Sequence, residues 1–505
     1  MATPPNILII KSDQHNARCL GVNGHPQVRT PHLDALAQEG VHFTSAFVQN
    51  PICTPSRMCY LTGQYVHSHG IYGLSRMPNP TDPVPPSLPS LMSTFRNAGY
   101  RTGIIGHVHV RRDWLAPHCD MYRDLHENAE PYDPSHPHNS YSQYLAARGL
   151  LDKRDDEAWH GLAQILDACP SELSFVDSYE GYCAQSFEEF LHGVPSGQPF
   201  LYQIDTLHPH QDYLPAQEFW DLYEGVDLQM PPSADEDLSG KPPHQRATQA
   251  WAHAYEGVFE PKGYEHVRRR KLRGYYGCIS QVDHMVGLVR RRLRERGLES
   301  NTLVVYCSDH GDFALEHGFL EKAPGISYDA ILRTPFIWHW PAGGFTARTV
   351  DTLVESVDLF PTLCALAGVP APDTLDGLDL SGLLRGDRGP QREFVVAEFP
   401  LSRTLRTREW KLCHRPRGMF RQADGTPLDA GELYHVAEDP WEVHNLYDEP
   451  RFRAVREDLR RMLFDWTLET TRCGNTWPYL APAADGKATP KGLRDLIAQG
   501  LTNYL

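Results

Sequence analysis

Asn6–Gln14, with the sequence NILIIKSDQ, joins a continuous apolar run to two polar side chains. A short uninterrupted apolar run is typical of a strand that is buried on both faces of a parallel sheet. Thr302–Ser308 is a second such run, and it leads directly into another polar pair, Asp309-His310. Ligand sites in open α/β sheets form at the carboxyl ends of the strands. The two polar pairs are therefore expected to converge.

Apolar runs alternate with amphipathic helical patterns through most of the 505 residues. This alternation is typical of a parallel sheet covered by helices, so the expected fold class is α/β, a large, mostly parallel sheet sandwiched by helices. The expected strands are Asn6–Ile10, Tyr100–Ile105, Phe200–Asp205, Thr302–Ser308 and Pro335–Trp338. Start and stop signals predict helices from Thr30 to Gly40, from Ser87 to Ala98 and from His266 to Arg296.

The pattern changes near residue 385. Phe394–Glu398, Thr404–Cys413 and Glu432–His435 have the form of short antiparallel strands, and helices are expected at 450–470 and 490–500. We therefore expect a large α/β domain at 1–385 and a smaller α+β domain with a helical tail at 386–505. The final 35 residues are alternatively an arm for a neighbouring subunit, and a homo-oligomer is expected.

Two stretches, 112–190 and 212–262, are rich in Pro, His, Tyr and acidic residues and have the character of insertions over a binding face. Their aromatic side chains could line an apolar wall for a ligand, or they could form small cores within the insertions, which we favour. These aromatic residues are Trp114, Tyr122, Tyr132, Tyr141, Trp159 and Tyr213.

Composition excludes several classes of partner. A net charge of −16 argues against nucleic acid and against an acidic membrane surface. The basic turns Arg268–Lys271 and Arg290–Arg294 are accordingly expected to be solvated. No run of about 18 apolar residues is present, so no membrane partner is expected. Eleven cysteines without disulfide or metal-ligand spacing favour reduced thiols and a cytoplasmic protein.

A second informative stretch is Cys53-Thr54-Pro55-Ser56-Arg57. Pro55 suits the first turn of a helix, and Met58, Leu61 and Tyr65 recur at helical spacing. Cys53 would then lie at the positive end of the helix dipole, where an anion is favoured. The C-x5-R pattern of thiolate phosphatases does not fit, because only three residues separate Cys53 from Arg57. The remaining alternative is a buried structural cysteine.

The pentapeptide resembles the C-x-P-x-R sequence at which sulfatases convert a cysteine to formylglycine, and Leu61-Thr62-Gly63-Gln64 resembles the continuation of that signature. The hydrated aldehyde is a geminal diol. One hydroxyl attacks the sulfur of a sulfate ester, and the other then loses its proton and expels sulfate as the aldehyde re-forms. The resemblance thus implies hydrolysis of small anionic sulfate monoesters and, as a partner, a formylglycine-generating enzyme that modifies Cys53.

The resemblance to sulfatases covers nearly the whole chain and implies an alkaline phosphatase-like fold. Asp13, Gln14, Asp309 and His310 match the four protein ligands of the family's divalent cation, and the oxygen of the modified Cys53 is a further ligand. Many members carry Asp where this chain has Gln14 and Asn where it has His310. Oxygen ligands favour Ca²⁺, whereas the imidazole makes Mn²⁺ the alternative.

Cationic side chains are expected around the sulfate, because its transition state gathers negative charge on oxygen. Gly99–Thr102 and Gly106–His109 together resemble the family segment G-Y-x-T…G-K-x-H. The resemblance places five side chains at the sulfate. They are Arg57 as a tether for the formylglycine, His107 in place of the family lysine as a substrate-binding donor, His109, His210 as the acid for the leaving alcohol, and Lys322.

Two other functions stay open at this point. Phosphonate monoester and phosphodiester hydrolases of the same superfamily share the formylglycine and a similar Asp-Gln…Asp-His metal set. Their substrates and sulfate monoesters carry similar charge, so electrostatics discriminates poorly between them. A catalytically inactive, metal-stabilised binding homologue is less favoured, because the whole set of functional residues is intact. The sequence does not define the organic part of the substrate.

Overall fold

The computed structural model describes residues 4–73, 84–85, 87–125, 140–153, 168–250, 264–323, 325–421 and 425–471. The strands, numbered in chain order, are β1 (Asn6–Ser12), β2 (Val41–Phe43), β3 (Ala46–Phe47), β4 (Arg101–Gly106), β5 (Met121–Asp124), β6 (Phe200–Asp205), β7 (Thr302–Ser308), β8 (Phe336–His339), β9 (Arg348–Val350), β10 (Val354–Glu355), β11 (Phe394–Phe399), β12 (Ser402–Thr407), β13 (Trp410–His414), β14 (Phe420–Arg421), β15 (Pro427–Leu428) and β16 (Glu432–His435).

The main sheet has eight strands in the order β5-β4-β6-β1-β7-β8-β2-β9. Neighbouring strands pair in parallel, except that β8 is antiparallel to both β7 and β2. The predicted strand Pro335–Trp338 is thus present as β8, but it runs against the rest of the sheet. The α/β class, the mostly parallel sheet and the smaller C-terminal antiparallel sheet are confirmed.

The main α-helices are α1 (Pro31–Glu39), α2 (Cys53–Thr62), α3 (Val66–His69), α4 (Leu91–Asn97), α5 (Arg112–Leu115), α6 (Ser140–Ala147), α7 (Tyr179–His192), α8 (Gln217–Asp221), α9 (Tyr264–Glu295), α10 (Asp329–Leu332), α11 (Leu359–Ala367), α12 (Ser381–Arg385) and α13 (Arg453–Thr470).

Two predicted helix boundaries are corrected. The helix expected from Ser87 begins only at Leu91, because the side chains of Ser90 and Ser93 form a reciprocal capping box that sets its start. The helix of the cysteine motif ends at Thr62, since Gly63 adopts a left-handed backbone with φ of 64°. Tyr65 therefore lies outside it, although the spacing of apolar residues placed it on the same helix.

The two faces of the main sheet are covered by different sets of helices. Successive side chains of a strand point to opposite faces. Ile7 and Ile9 of β1 accordingly join the apolar core that contains α2, α4 and α11, whereas Leu8 and Ile10 join the core that contains α1, α7 and α9. All four side chains are fully buried. The sheet is thus sandwiched by helices, as the continuous apolar runs predicted.

The smaller sheet has four antiparallel strands in the order β11-β12-β13-β16. The single strand predicted at Thr404–Cys413 is in fact two, β12 and β13. Thr407 separates them, because its Oγ1 accepts the backbone N–H groups of Glu409 and Trp410 in a tight turn.

Helix α13 packs on the smaller sheet as expected, and the shared apolar core also includes side chains of α2 and α3. Because the core is continuous between the two sheets, the boundary at 385/386 stays a prediction. The helix predicted at 490–500 and nearly all of the proposed C-terminal arm lie outside the described residues.

Several predicted surface features are buried. The small cores that we favoured within the insertions are not what these side chains form: Trp114 and Tyr141 join the two cores that cover the main sheet, and Tyr213 joins a third core shared with α9. Tyr132 and Trp159 lie outside the described residues. The expectation that the basic turns are solvated is wrong for three side chains that are at most 5% exposed, which are Arg268, Lys271 and Arg290. Acidic neighbours hold two of them, Asp235 for Arg268 and Glu39 for Arg290. Among the described residues, no helix is long and apolar enough to cross a membrane.

Candidate active site

Three adjacent strands bring the candidate residues together. Asp13 follows β1 directly, Asp309 follows β7, and Asp205 is the last residue of β6. The strands lie in the order β6-β1-β7, so the three carboxylates meet at one edge of the sheet. Helix α2 begins at Cys53 and points its N-terminus at this edge. The Cys53 sulfur lies 3.3 Å from Nε2 of His310 and 3.9 Å from Oδ1 of Asp13.

A buried cluster at this edge has the donors of a metal site. Ligand atoms of Asp13, Cys53, Asp309 and His310 all lie within 4.8 Å of one another. Nδ1 of His310 is bonded to the carbonyl of Gly311 at 2.9 Å, so Nε2 is the nitrogen that faces the carboxylates. Burial lowers the pKa of His310 to about 4, which keeps the ring neutral. Carboxylates with a neutral imidazole fit a divalent cation.

Charge also favours a cation here. Burial and the adjacent Asp309 carboxylate raise the pKa of Asp13. The pKa of Asp309 is lowered despite its burial, because the Arg57 guanidinium, together with the hydrogen bond from the backbone N–H of Gln14, outweighs that effect. The interior therefore tolerates one ionised carboxylate of this pair more readily than two. A divalent ion would supply the missing positive charge, so the residues present fit the metal that the family implies.

Gln14 lies beside this cluster with its backbone in the left-handed region, at φ of 73°. That conformation costs a non-glycine residue on the order of 1–3 kcal/mol and is concentrated at functional sites. The Gln14 N–H donates to Oδ1 of Asp309 at 3.1 Å, which holds the backbone in place. Its side-chain oxygen Oε1 accepts from Nζ of Lys322 at 2.8 Å. The carboxamide oxygen is thus directed toward the site.

Arg57 is fully buried beneath the cluster. Its guanidinium contacts carboxylates on all three strands and one carbonyl: Nε donates to Asp309 at 2.9 Å, NH1 to Asp205 at 3.0 Å and to the carbonyl of His107, and NH2 to Asp13 at 2.7 Å. The same NH2 also lies 2.8 Å from Oδ2 of Asp309. Its donors are therefore directed at the carboxylates, which differs from the sequence-based expectation of a donor aimed at the sulfate.

The remaining predicted residues converge above the cluster. Nζ of Lys322 lies 3.1 Å from Nε2 of His210. Nε2 of His107 lies 3.0 Å from Nδ1 of His109 and 3.7 Å from Oδ2 of Asp13. The rings of His107 and His210 are stacked with centroids 6.0 Å apart. The candidate catalytic and metal-ligating residues that the sequence singled out thus lie close together.

Sequence reasoning missed several residues of this site. Asp205 could have been found, because it ends a predicted strand in the same way that Asp13 and Asp309 follow theirs. Lys11 is fully buried and lies 3.3 Å from Oδ2 of Asp205, which it shares with Arg57. Lys11 comes directly after the predicted strand Asn6–Ile10, where a lysine is expected to be exposed to solvent, so no sequence signal marks it as buried. Asp312 beside Gln14 was also missed.

The sheet and its buried donor cluster define an α/β protein with a candidate metal centre at the strand ends. The sulfatase family model matches residues 5–369, and a model described as N-sulphoglucosamine sulphohydrolase, C-terminal, matches residues 315–469. The chain therefore belongs to the sulfatase family. The predicted family and the predicted enzyme class, sulfuric ester hydrolase, are confirmed.

Relatives and solved structures agree with this assignment. The arylsulfatase of Clostridium perfringens is 27% identical over 91% of this chain and 93% of its own length. Arylsulfatase A of Homo sapiens is 29% identical over 88% of this chain and 84% of its own. The phosphonate monoester hydrolase of Silicibacter pomeroyi superposes with a TM-score of 0.77 at 21% identity, covering 96% of this chain and 99% of that chain. At this identity, the superposition with the hydrolase shows a common fold and nothing further.

Proposed function

We propose that this chain hydrolyses sulfate monoesters through a formylglycine formed from Cys53 and a divalent cation. The cation would be held by the side chains that follow β1 and β7, which are Asp13, Gln14, Asp309 and His310. The observation that carries the proposal is the position of the Cys53 sulfur, at the N-terminus of α2 and within 3.9 Å of Asp13 and His310.

The cysteine itself is poorly suited to catalysis. Burial raises the pKa of the Cys53 thiol well above its usual range, and the nearby Asp13 raises it further. The thiol is therefore neutral, and a neutral thiol is a weak nucleophile. A formylglycine at position 53 would supply a nucleophilic oxygen in its hydrated form, and a divalent cation held by Asp13, Gln14, Asp309 and His310 would supply the charge that stabilises it. The positive end of α2 favours the anionic group of the substrate at the same place.

The protein side chains have separate tasks. Arg57 holds the three strand-end carboxylates in place rather than contacting substrate. Burial opposes the charge on Lys322, but the nearby carboxylates of Asp13, Glu321 and Asp309 favour it and the lysine's pKa is raised, so Lys322 is a permanent cation beside the sulfate. Nδ1 of His210 is bonded to the carbonyl of Gln211, which leaves Nε2 facing Lys322. From this position we assign protonation of the leaving-group oxygen to the imidazolium form of His210, which would carry the transferred proton on Nε2 and become neutral as the alcohol leaves.

His107 and His109 add hydrogen-bond donors beside Lys322 and His210. Oγ1 of Thr54, next to Cys53, donates to the backbone carbonyl of His109 at 2.9 Å. This bond ties the histidine pair to the start of α2. We assign to both rings hydrogen bonds to the sulfate oxygens. Ca²⁺ is the favoured cation because most donors are oxygens, and Mn²⁺ is the alternative because of the His310 imidazole.

Conversion of Cys53 is the first test. Protein co-expressed with a formylglycine-generating enzyme should show the aldehyde at Cys53 by peptide mass spectrometry, and Cys53→Ala should abolish turnover of an aryl sulfate. Cys59→Ala is the matched control, since Cys59 is a second buried cysteine of α2. It should retain turnover. Full activity in protein whose Cys53 is unmodified would remove the proposed mechanism.

A second candidate function is hydrolysis of phosphonate monoesters or phosphodiesters at the same site. His107 favours it, because an imidazole stands where sulfatases carry a permanent cation. The Asp-Gln…Asp-His donor set favours it as well. Sulfate monoester hydrolysis is preferred, because the sequence matches the sulfatase motifs at Arg57, His109, His210 and Lys322.

We also propose that the enzyme works in the cytoplasm. No disulfide joins the cysteines of the described residues. This agrees with a reducing compartment.

A further inference from the structure

The two ends of the Gln14 carboxamide have opposite surroundings. Its oxygen accepts from the ammonium of Lys322 at 2.8 Å. Its Nε2 donates to Oδ2 of Asp312 at 2.5 Å and to Oε1 of Gln211 at 3.1 Å. Turning the amide over would place its NH₂ against a cation and its oxygen against a carboxylate. The neighbours therefore define which end of Gln14 faces the metal site.

Asp312 is itself held firmly. It is fully buried, and Oδ1 accepts the backbone N–H of Ala314 at 2.6 Å. Oδ2 accepts the hydroxyl of Tyr213 at 2.7 Å in addition to the Gln14 amide. A carboxylate that accepts several bonds from fixed donors has little freedom to rotate. It can therefore impose an orientation on Gln14 rather than follow it.

We propose that Asp312 is a positioning residue that directs the carboxamide oxygen of Gln14 into the metal site. With Asp312 in place, the site accepts a carboxamide at position 14 but not a carboxylate. The inference rests on the proposed metal site but is independent of the substrate. A carboxylate at position 14 would present an oxygen, with no proton to donate, to the buried Asp312 carboxylate.

The proposal predicts the opposite effect on metal affinity from the one expected when only the charges of the ligands are counted. Gln14→Glu keeps the length of the side chain and adds a negative charge beside the cation. Counting charges at the ligands alone predicts tighter metal binding. Repulsion from Asp312 predicts weaker binding, because the new carboxylate must turn away from its position or take up a proton. Asp312→Asn should relieve the repulsion, since an asparagine amide can donate to a carboxylate at position 14.

The test is a double-mutant cycle on the full chain after treatment with a chelator. Ca²⁺ alone and Mn²⁺ alone are titrated by calorimetry into the wild type, Gln14→Glu, Asp312→Asn and the double variant. Each single variant should weaken binding by about 10- to 100-fold, the usual range for a partner of a metal ligand. The double variant should recover most of that loss. Asp283→Asn is the control, because Asp283 is a buried aspartate on α9. It should bind the cation as the wild type does.

The inference is overturned if the Gln14→Glu variant binds the cation as tightly as the wild type does. It is also overturned if the double variant binds the cation more weakly than both single variants do. If Gln14→Glu does not accumulate as folded protein, recovery of folded protein in the double variant supports the proposal, and continued misfolding contradicts it. A wild type that binds neither cation removes the proposed metal site as well. If the wild type and both single variants bind the cation equally tightly, the metal site stands and only the role of Asp312 is ruled out.

Discussion

Arg57 and Lys322 are both cations at the site, yet their partners give them different tasks. Arg57 donates to carboxylates at the ends of β1, β6 and β7 and to one backbone carbonyl. Lys322 donates to an amide oxygen and contacts an imidazole nitrogen. A buried arginine with three carboxylate partners organises the site, whereas a lysine with neutral partners keeps its charge for an anionic ligand.

This difference predicts separable effects on metal content and turnover. Lys322→Met should lower kcat by about 100- to 1,000-fold, the usual effect of removing one charge-stabilising donor, while the metal is retained, because Asp312 still holds the Gln14 carboxamide in place. Asp13→Asn should lose metal and turnover together, because it replaces a carboxylate ligand. Steady-state kinetics and elemental analysis of the same samples measure both. A Lys322→Met enzyme with wild-type kcat would contradict the role assigned to this lysine.

Much of the site was predictable from single residues. The polar pairs after two apolar runs and the stretch Cys53–Arg57 are enough to locate the cluster from the sequence alone. The direction of the Arg57 side chain was not predictable, since it depends on Asp205 two strands away from β7. The orientation of Gln14 likewise depends on Asp312, a contact that sequence spacing does not define.

At the scale of elements, helices α1 and α9 are joined by a buried carboxylate. Asp283 of α9 accepts the backbone N–H of Leu33, in the first turn of α1, at 2.7 Å. It thereby satisfies one of the N–H groups that a helix start leaves without an internal partner. Burial raises the pKa of Asp283 to about 7. An unfolded aspartate has a pKa of about 3.9.

Asp283 should therefore give the protein a measurable pH dependence. Between about pH 4 and pH 7 the folded state holds this proton and the unfolded state does not, so the free energy of unfolding falls as pH rises, by at most about 1.4 kcal/mol per unit. Asp283→Asn should remove this part of the slope. Denaturant unfolding of both proteins across the window tests it. Parallel stability curves would contradict the raised pKa.

The elements themselves were predictable to different degrees. Continuous apolar runs located β1 and β7, because central strands need apolar residues on both faces. The antiparallel direction of β8 was not predictable, since hydrophobic periodicity carries no information on strand direction. The division of Thr404–Cys413 into β12 and β13 depends on one side-chain turn at Thr407, which interrupts a run that otherwise has the composition of a strand.

At the scale of the whole molecule, the smaller sheet is tied to the loops of the active site. Lys411 of β13 lies between Asp329 and Glu442, at 2.9 Å and 2.6 Å. Glu442 in turn accepts the backbone N–H of Asp329 at the start of α10. The start of α10, seven residues after Lys322, is thus held by β13 and by Glu442 of the C-terminal region.

The net charge of −16 repels anions from the molecule as a whole, so the proposed anionic substrate must be bound by a local group, in which Lys322 supplies the charge and His107, His109 and His210 supply hydrogen bonds. That group, the Cys53 position and the metal cluster together are the basis for sulfate ester hydrolysis as the main activity. Phosphonate monoester hydrolysis would use the same nucleophile and the same metal, so only relative rates distinguish the two.

The most direct test measures kcat/KM of the enzyme with converted Cys53 on an aryl sulfate and on an aryl phosphonate monoester that share one leaving group, at the same pH and metal concentration. Cys53→Ala, the control for background hydrolysis, should be inactive on both. If sulfate ester hydrolysis is the main activity of this chain, kcat/KM should be higher for the aryl sulfate than for the aryl phosphonate monoester. A higher kcat/KM for the phosphonate would contradict it, even though the formylglycine and the metal site would remain.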